Sequence, residues 1–187
     1  MTTLTSGDYV IRAIRPDEWP AVKQLRLDAL QDPVAHIAFL ETYEDASGRP
    51  DSFYRERATR SAEESGGARQ FIAEAPDGTW AGTATVVIEE AGTQDWAGLP
   101  VERKQGHLVG VFVKPEHRGT GLLKALFEGG LEWAWERGAE RVRLLVHEDN
   151  ARAQAAYRKA GFVPSGVTVV LSGDAGELEL EFVVERG

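Results

Sequence analysis

Two stretches of this sequence carry residue types that could do chemistry. Arg118-Gly119-Thr120-Gly121 lies between a β-branched run, Leu108 to Val113, and a long apolar-periodic segment, Leu122 to Trp135. Further on, Asn150-Ala151-Arg152-Ala153-Gln154-Ala155-Ala156-Tyr157 follows another apolar run. A glycine-rich turn between a strand and a helix presents unpaired backbone N–H groups at the positive end of the helix dipole, a ready site for phosphate. The second stretch opens a helix and sets a tyrosine two turns in. A phosphate cradle followed by an Asn/Tyr helix fits a cofactor that carries a pyrophosphate and reacts at its far end.

Elimination narrows the cofactor. A nucleotide P-loop needs two glycines five apart and then Lys-Ser or Lys-Thr, and none is present. A dinucleotide fingerprint that starts at Gly119 would need a third glycine where Lys124 stands. Protein-kinase signatures are missing. What remains resembles the Arg/Gln-x-x-Gly-x-Gly/Ala pattern of the Gcn5-related N-acetyltransferases. Arg118, Gly121 and the flanking Val-Phe-Val-x-Pro-Glu match it, and Asn150, Ala153, Tyr157 and Gly161-Phe162 fall where the family has its second cofactor motif. The resemblance is specific from Leu108 to Phe162. Leu123, where the family has Gly or Ala, departs from it: its side chain either crowds the pyrophosphate or turns into the helix–sheet contact.

Each element alone has a plain structural reading. A Gly-x-Gly turn can be a tight connection, Tyr157 can be core packing beside Ala153 and Ala160, and Asn150 can be a helix N-cap. Their joint order and spacing favour the cofactor site. The resemblance implies an α/β (α+β) fold with a mixed, mostly antiparallel twisted sheet of about seven strands and about four helices. It implies acetyl-CoA as co-substrate, with Arg118, Gly119, Thr120, Gly121, Leu122, Leu123 and Lys124 around its pyrophosphate. It also implies that Val111, Phe112 and Val113 meet the pantetheine amides, with Asn150, Ala153 and Tyr157 on the opposite wall.

Composition sets wider limits. With 187 residues, 42% hydrophobic and 27% charged, the chain reads as one globular domain over its whole length. No run approaches a membrane span, and Met1 to Asp8 is neither basic nor apolar, so a cytoplasmic location is expected and a membrane partner is not. The sequence has no cysteine, which removes disulfides and a cysteine nucleophile. Its four histidines lack metal-ligand spacing, so chemistry without a metal is expected. The net charge of -9 disfavours nucleic acid and fits a cationic acceptor, unless it serves solubility alone. A homodimer is left open.

The elements that must position the motifs follow from pattern. Tyr9 to Ile14 alternates as a strand, and Pro16-Asp17 opens a helix that ends near Asp32-Pro33. Residues 33–50 have poor periodicity, and a helix is expected from Ser52 to Glu64 with Asp51 as its cap. Gln70 to Glu74 and Trp80 to Ile88 form a hairpin around Pro76-Asp77-Gly78. Glu89 to Gly106 is a long polar connection, expected to be mobile or functional. His107 to Val113 is a strand in which Gly110 marks a bulge, with Val109, Val111 and Val113 on one face and Leu108 and Phe112 on the other. Gly121 to Arg137 is a helix burdened by Gly129-Gly130, a strand covers Arg141 to Val146, and a helix runs from Asn150 to Ala160. A terminal hairpin turns around Ser172 to Gly176.

Acyl transfer to an amine needs a neutral amine, a polarised carbonyl and a protonated leaving thiolate. Tyr157, a phenol near pKa 10, is the donor to a thiolate near 8.5. A backbone N–H at Val113 or a neighbour steadies the carbonyl oxygen. Without a cysteine to acylate, transfer is direct in a ternary complex. The family often places its base on the strand before the second motif, but here that strand reads Leu144-Leu145-Val146. Glu41, Glu44, Glu74, His107 and His147 are substitutes. Glu44 is preferred because the segment between the first two helices lines the acceptor side of the fold. The acceptor is a small-molecule or peptide amine. The alternatives are a non-catalytic acyl-CoA sensor and an acyltransferase that uses a longer acyl chain.

Overall fold

The computed structural model describes residues 4–95, 97–170 and 177–187. Its centre is one eight-stranded sheet in the order β1-β2-β3-β4-β5-β6-β8-β7. The strands are β1 Leu4–Ser6, β2 Tyr9–Ala13, β3 Ala68–Glu74, β4 Trp80–Glu89, β5 Gln105–Val113, β6 Arg141–His147, β7 Val163–Val170 and β8 Leu178–Glu185. Every neighbouring pair is antiparallel except β5 and β6. The helices are α1 Trp19–Leu30, α2 Ala35–Ala38, α3 Tyr43–Ser47, α4 Asp51–Arg60, α5 Leu122–Glu136 and α6 Ala151–Lys159.

The mixed, mostly antiparallel sheet matches expectation, with one strand more than seven and two helices more than four. The extra strand, β1, folds back on β2 through a turn with Gly7 at φ +60°. The extra helices, α2 and α3, have four and five residues, too few to show a helical period. Asp51 is the first residue of α4 rather than its cap; Pro50 holds the cap position, without a side-chain bond. β7 and β8 form the expected terminal hairpin; its turn, Ser172 to Gly176, lies outside the described residues.

Helix α5 packs across β2 to β5 over the main core, which includes Phe71, Val86, Leu108, Leu126, Phe127 and Phe182. Its Gly129-Gly130 pair is explained by that contact. A Cβ on Gly130 would stand 2.9 Å from Val86 Cγ2, and one on Gly129 would touch Ile11 and Phe71. The missing side chains let the helix approach the sheet, offsetting the roughly 1 kcal/mol that each glycine costs in a helix. The opposite face of the sheet carries a second core, with Val22, Leu25 and Ala29 of α1, Ala58 of α4, Ile72 and Phe112.

The long connection between β4 and β5 is pinned. Asp95, almost fully buried, pairs with Arg143 of β6 and accepts the Ala97 and Leu99 N–H groups at 2.8 and 2.9 Å. Arg143 also meets Glu181 at 3.0 Å and Glu89 at 3.3 Å. These buried ions satisfy one another, as a charge out of water requires.

Candidate active site

The bulge in β5 is where the site begins. Thr83 pairs with Phe112 and Thr85 with Val109, so Gly110 and Val111 together face Ala84. Gly110 takes φ +62°, a left-handed backbone that costs any residue with a Cβ. The inserted residue changes the facing predicted for this strand. Leu108 lies in the main core with Val111 and Val113 packed against it, while Phe112 lies in the second core. Regular alternation put Leu108 and Phe112 together, and one extra residue undoes that.

The bulge coincides with a split in the sheet. The parallel ladder between β5 and β6 runs from Gln105↔Arg141 to Leu108↔Leu144 and stops there, although both strands continue to Val113 and His147. Beside the split lies a cleft of about 570 Å³, lined by Val111, Phe112 and Val113 on one wall and Asn150, Ala153 and Tyr157 on the other.

The glycine turn closes one end of the cleft. Gly119 and Gly121 have φ +78° and +79°, and a Cβ on either would meet no protein atom within 4 Å. The first intrahelical bond of α5 is from Ala125 N–H to the Gly121 carbonyl, so the Leu122, Leu123 and Lys124 N–H groups are the free donors of the helix start. Leu123 packs against the main core while still lining the cleft. Thr120 does not line the cleft; its hydroxyl donates to the His117 carbonyl at 2.7 Å.

Arg118 braces the site from behind. Its Nε donates to the Val113 carbonyl at 3.0 Å and a terminal nitrogen meets Asp32 Oδ2 at 2.6 Å. Asp32 also accepts the Val34 N–H at 3.1 Å, so the strand end, the glycine turn and the α1–α2 segment are tied together. Burial pushes the Asp32 carboxyl up, but Arg118 and the Val34 N–H outweigh it and hold it below the ordinary carboxylate range. Among the described residues, four cationic side chains line the cleft (Arg118, Lys124, Arg152 and Lys159) against the carboxylate of Asp32. A basic cleft on an acidic chain suits a polyanionic ligand. Arg152, Lys159 and the α2-side residues Ala38 and Phe39 were missed from sequence. The helical spacing of the two cations with Ala156 and Ala160 was their available signal.

Asn150 caps α6, accepting the Ala153 N–H at 3.2 Å, so the plain reading of that residue holds alongside its place in the cleft wall. Tyr157 stacks on Phe127, with centroids 5.6 Å apart. Burial, then the charge of Glu179, pushes its phenol up to about 12. Glu44 is not brought to this site: it is exposed on α3 and does not line the cleft. Among the other substitutes, Glu41 is paired with Arg26 and Arg49, Glu74 with Arg12, and His107 with Glu89.

Comparison with known proteins agrees with this geometry. The acetyltransferase (GNAT) family model matches residues 20–162, and the chain belongs to that family. It is 29% identical to streptothricin acetyltransferase of Streptomyces lavendulae over 196 residues, covering 96% of this chain and 95% of that one. It is 40% identical to mycothiol acetyltransferase of Saccharomonospora viridis over 92 residues, 49% of this chain but only 29% of the relative. In fold it resembles the PaiA N-acetyltransferase of Thermoplasma acidophilum, solved with coenzyme A, with a TM-score of 0.67 at 18% identity, covering 92% and 97% of the two chains.

Proposed function

We propose that this protein transfers the acetyl group of acetyl-CoA directly to a primary amine on a small, cationic molecule. The observation that carries the reading is the basic cleft, which runs from the free N–H groups of α5 to the split between β5 and β6 with Tyr157 on its wall. The helix start and cations would hold the pyrophosphate. The unpaired side of Val111 to Val113 would meet the pantetheine amides, and the thioester would then lie beside Tyr157. The neutral amine nitrogen attacks the thioester carbon, the carbon–sulfur bond breaks as the phenol gives its proton to the sulfur, and the surplus proton of the nitrogen restores the phenol. Likeness to a streptothricin acetyltransferase over nearly the full length of both chains supports a small-molecule acceptor.

A panel of cationic, neutral and carboxylate-bearing amines with acetyl-CoA tests this by release of free thiol, which the cysteine-free chain does not obscure. Cationic amines should react best, and their advantage should shrink as salt brings the Debye length below about 10 Å. Equal reaction of neutral amines at low salt would refute the electrostatic part. Tight binding of acetyl-CoA without thiol release on any amine would favour the sensor.

A further inference from the structure

Taking a proton from the acceptor amine needs a base on the acceptor side of the split, and β6 offers only Leu144, Leu145 and Val146 where the family often has one. The open ends of β6 and β8 supply another. His147 closes β6 and stands directly opposite Glu179 of β8. Leu144, Val146, Leu180 and Phe182 belong to the main core beneath α5. By alternation, His147 and Glu179 point to the other face, the one where α2 packs against β6 and where Ala38 and Phe39 enter the cleft; the two residues lie beside that cleft and do not line it.

The two side chains have complementary needs. His147 is 6% exposed, and its Nδ1 accepts the Asp149 N–H at 3.1 Å. A neutral ring therefore carries its hydrogen on Nε2, and Nε2 is buried with no hydrogen-bond partner among the described residues. Glu179, half-buried, has neither an ion pair nor a hydrogen bond to a described side chain. Facing residues on paired strands have Cβ atoms about 4.5–5.5 Å apart, which sets the two side chains next to each other.

We propose that Glu179 is the general base of the transfer and that His147 is its positioning residue. This rests on the acetyl-transfer reading above and names the base that reading lacks. The ammonium first gives one proton through Glu179 to solvent. The freed lone pair attacks the thioester carbon, a carbon–nitrogen bond forms, and the nitrogen gives its second proton to Glu179. The carbon–sulfur bond breaks as the sulfur takes the Tyr157 proton, and Glu179 returns its proton to the phenolate. The products are the amide, free CoA thiol and one proton in solvent.

The electrostatics agree with the geometry. Burial raises Glu179 to about 7, with the like charge of Glu177 adding and His147 opposing, so the carboxylate exchanges protons near neutral pH. The titratable groups on its face are His147 with Asp149 beside it, and Glu181 on its own strand with Glu177 just before it; on β7, Val169 sits opposite and brings no charge, and Tyr157 on the main-core side feels the Glu179 charge. Because the Glu179 charge helps to raise Tyr157, protonation of Glu179 makes the phenol a stronger acid at the step where the thiolate appears.

Glu179→Gln keeps the size of the side chain and removes the base. With a cationic alkylamine, kcat should fall by about 10²-fold or more, the limb near pH 7 should disappear, and KM for acetyl-CoA should be unchanged. An alkoxyamine, already neutral at the assay pH, should lose far less. Glu177→Gln should keep full turnover and move the limb to lower pH. Glu179→Gln that turns over like wild type, or that loses equally with both acceptors and keeps the limb, overturns the proposal. A wild-type protein that binds acetyl-CoA and acetylates no amine overturns the transfer reading, and this assignment with it.

Discussion

Removing Gly110 separates the bulge from everything else β5 does. With Gly110 deleted, Ala84 would face Val111 and the β4–β5 register would run without a break from Gly82↔Val113 to Glu89↔Gln105. Leu108, Val111 and Val113 would keep their face and Phe112 would keep the other, so both cores would survive. What disappears is the bend that parts β5 from β6. If the split receives the pantetheine arm, closing it removes about two ladder hydrogen bonds worth roughly 1 kcal/mol each and some apolar contact. A loss of about 2–3 kcal/mol is roughly 30- to 150-fold in affinity for CoA, which calorimetry reads directly. The companion Gly110→Ala should behave oppositely. Its Cβ would find only Thr85 Oγ1 at 4.0 Å, so the cost is the left-handed backbone alone, about 1–2 kcal/mol. At this chain length that lowers Tm by about 2–4 °C per kcal/mol. Straightening the strand to escape the strain would turn Val111, Phe112 and Val113 to the wrong faces, at about 1.5–3 kcal/mol for each side chain. The bulge should therefore persist, with CoA affinity intact. A deletion variant that binds CoA as well as wild type would refute the assignment of the split to the cofactor.

Two further outcomes follow from the same site. Tyr157→Phe keeps the stack on Phe127 and removes only the hydroxyl, so Tm and CoA affinity should hold while turnover falls about 10²-fold; an active variant would reduce Tyr157 to packing. Asp32→Asn should cost about 1–3 kcal/mol at neutral pH, between an exposed pair and a buried one. Because the Asp32 carboxyl lies below its ordinary value in the folded chain, its contribution is present above the unfolded pKa of about 3.9 and is lost as pH falls through the folded value. Thermal melts of wild type and variant should converge in acid, and a gap that persists there would show that Arg118 is held by something else.

The parts of the site that were legible in sequence are those fixed by local backbone geometry. Gly119, Gly121 and Gly161 announce left-handed turns, and all three have positive φ. Gly110 announces the bulge, although where it sends Phe112 depends on counting the extra residue. The acceptor side was harder because α2 and α3 are a single turn each and are held by tertiary contacts. Glu44 looked plausible in that segment only because nothing local showed that it points to solvent.

The clearest loss of information is on β8. Leu178-Glu179-Leu180-Glu181 alternates as a hairpin with one wet face would, yet Glu181 is 3% exposed. Arg141 and Arg143 alternate in the same way on β6, where Arg143 pairs with Val183 in register but reaches Glu181 on the shared face. Arg141 and Arg143 on one strand and Glu181 on its neighbour form a cross-strand match that sequence shows only once the pairing is known. The same match shows where part of the charge is neutralised. Glu89, Asp95 and Glu181 are internal and paired, and Glu41 and Asp32 are bound to arginines. These pairs cancel internally, so the net charge of -9 is carried by carboxylates elsewhere on the chain. Any attraction for a cationic acceptor must come from those carboxylates outside the pairs.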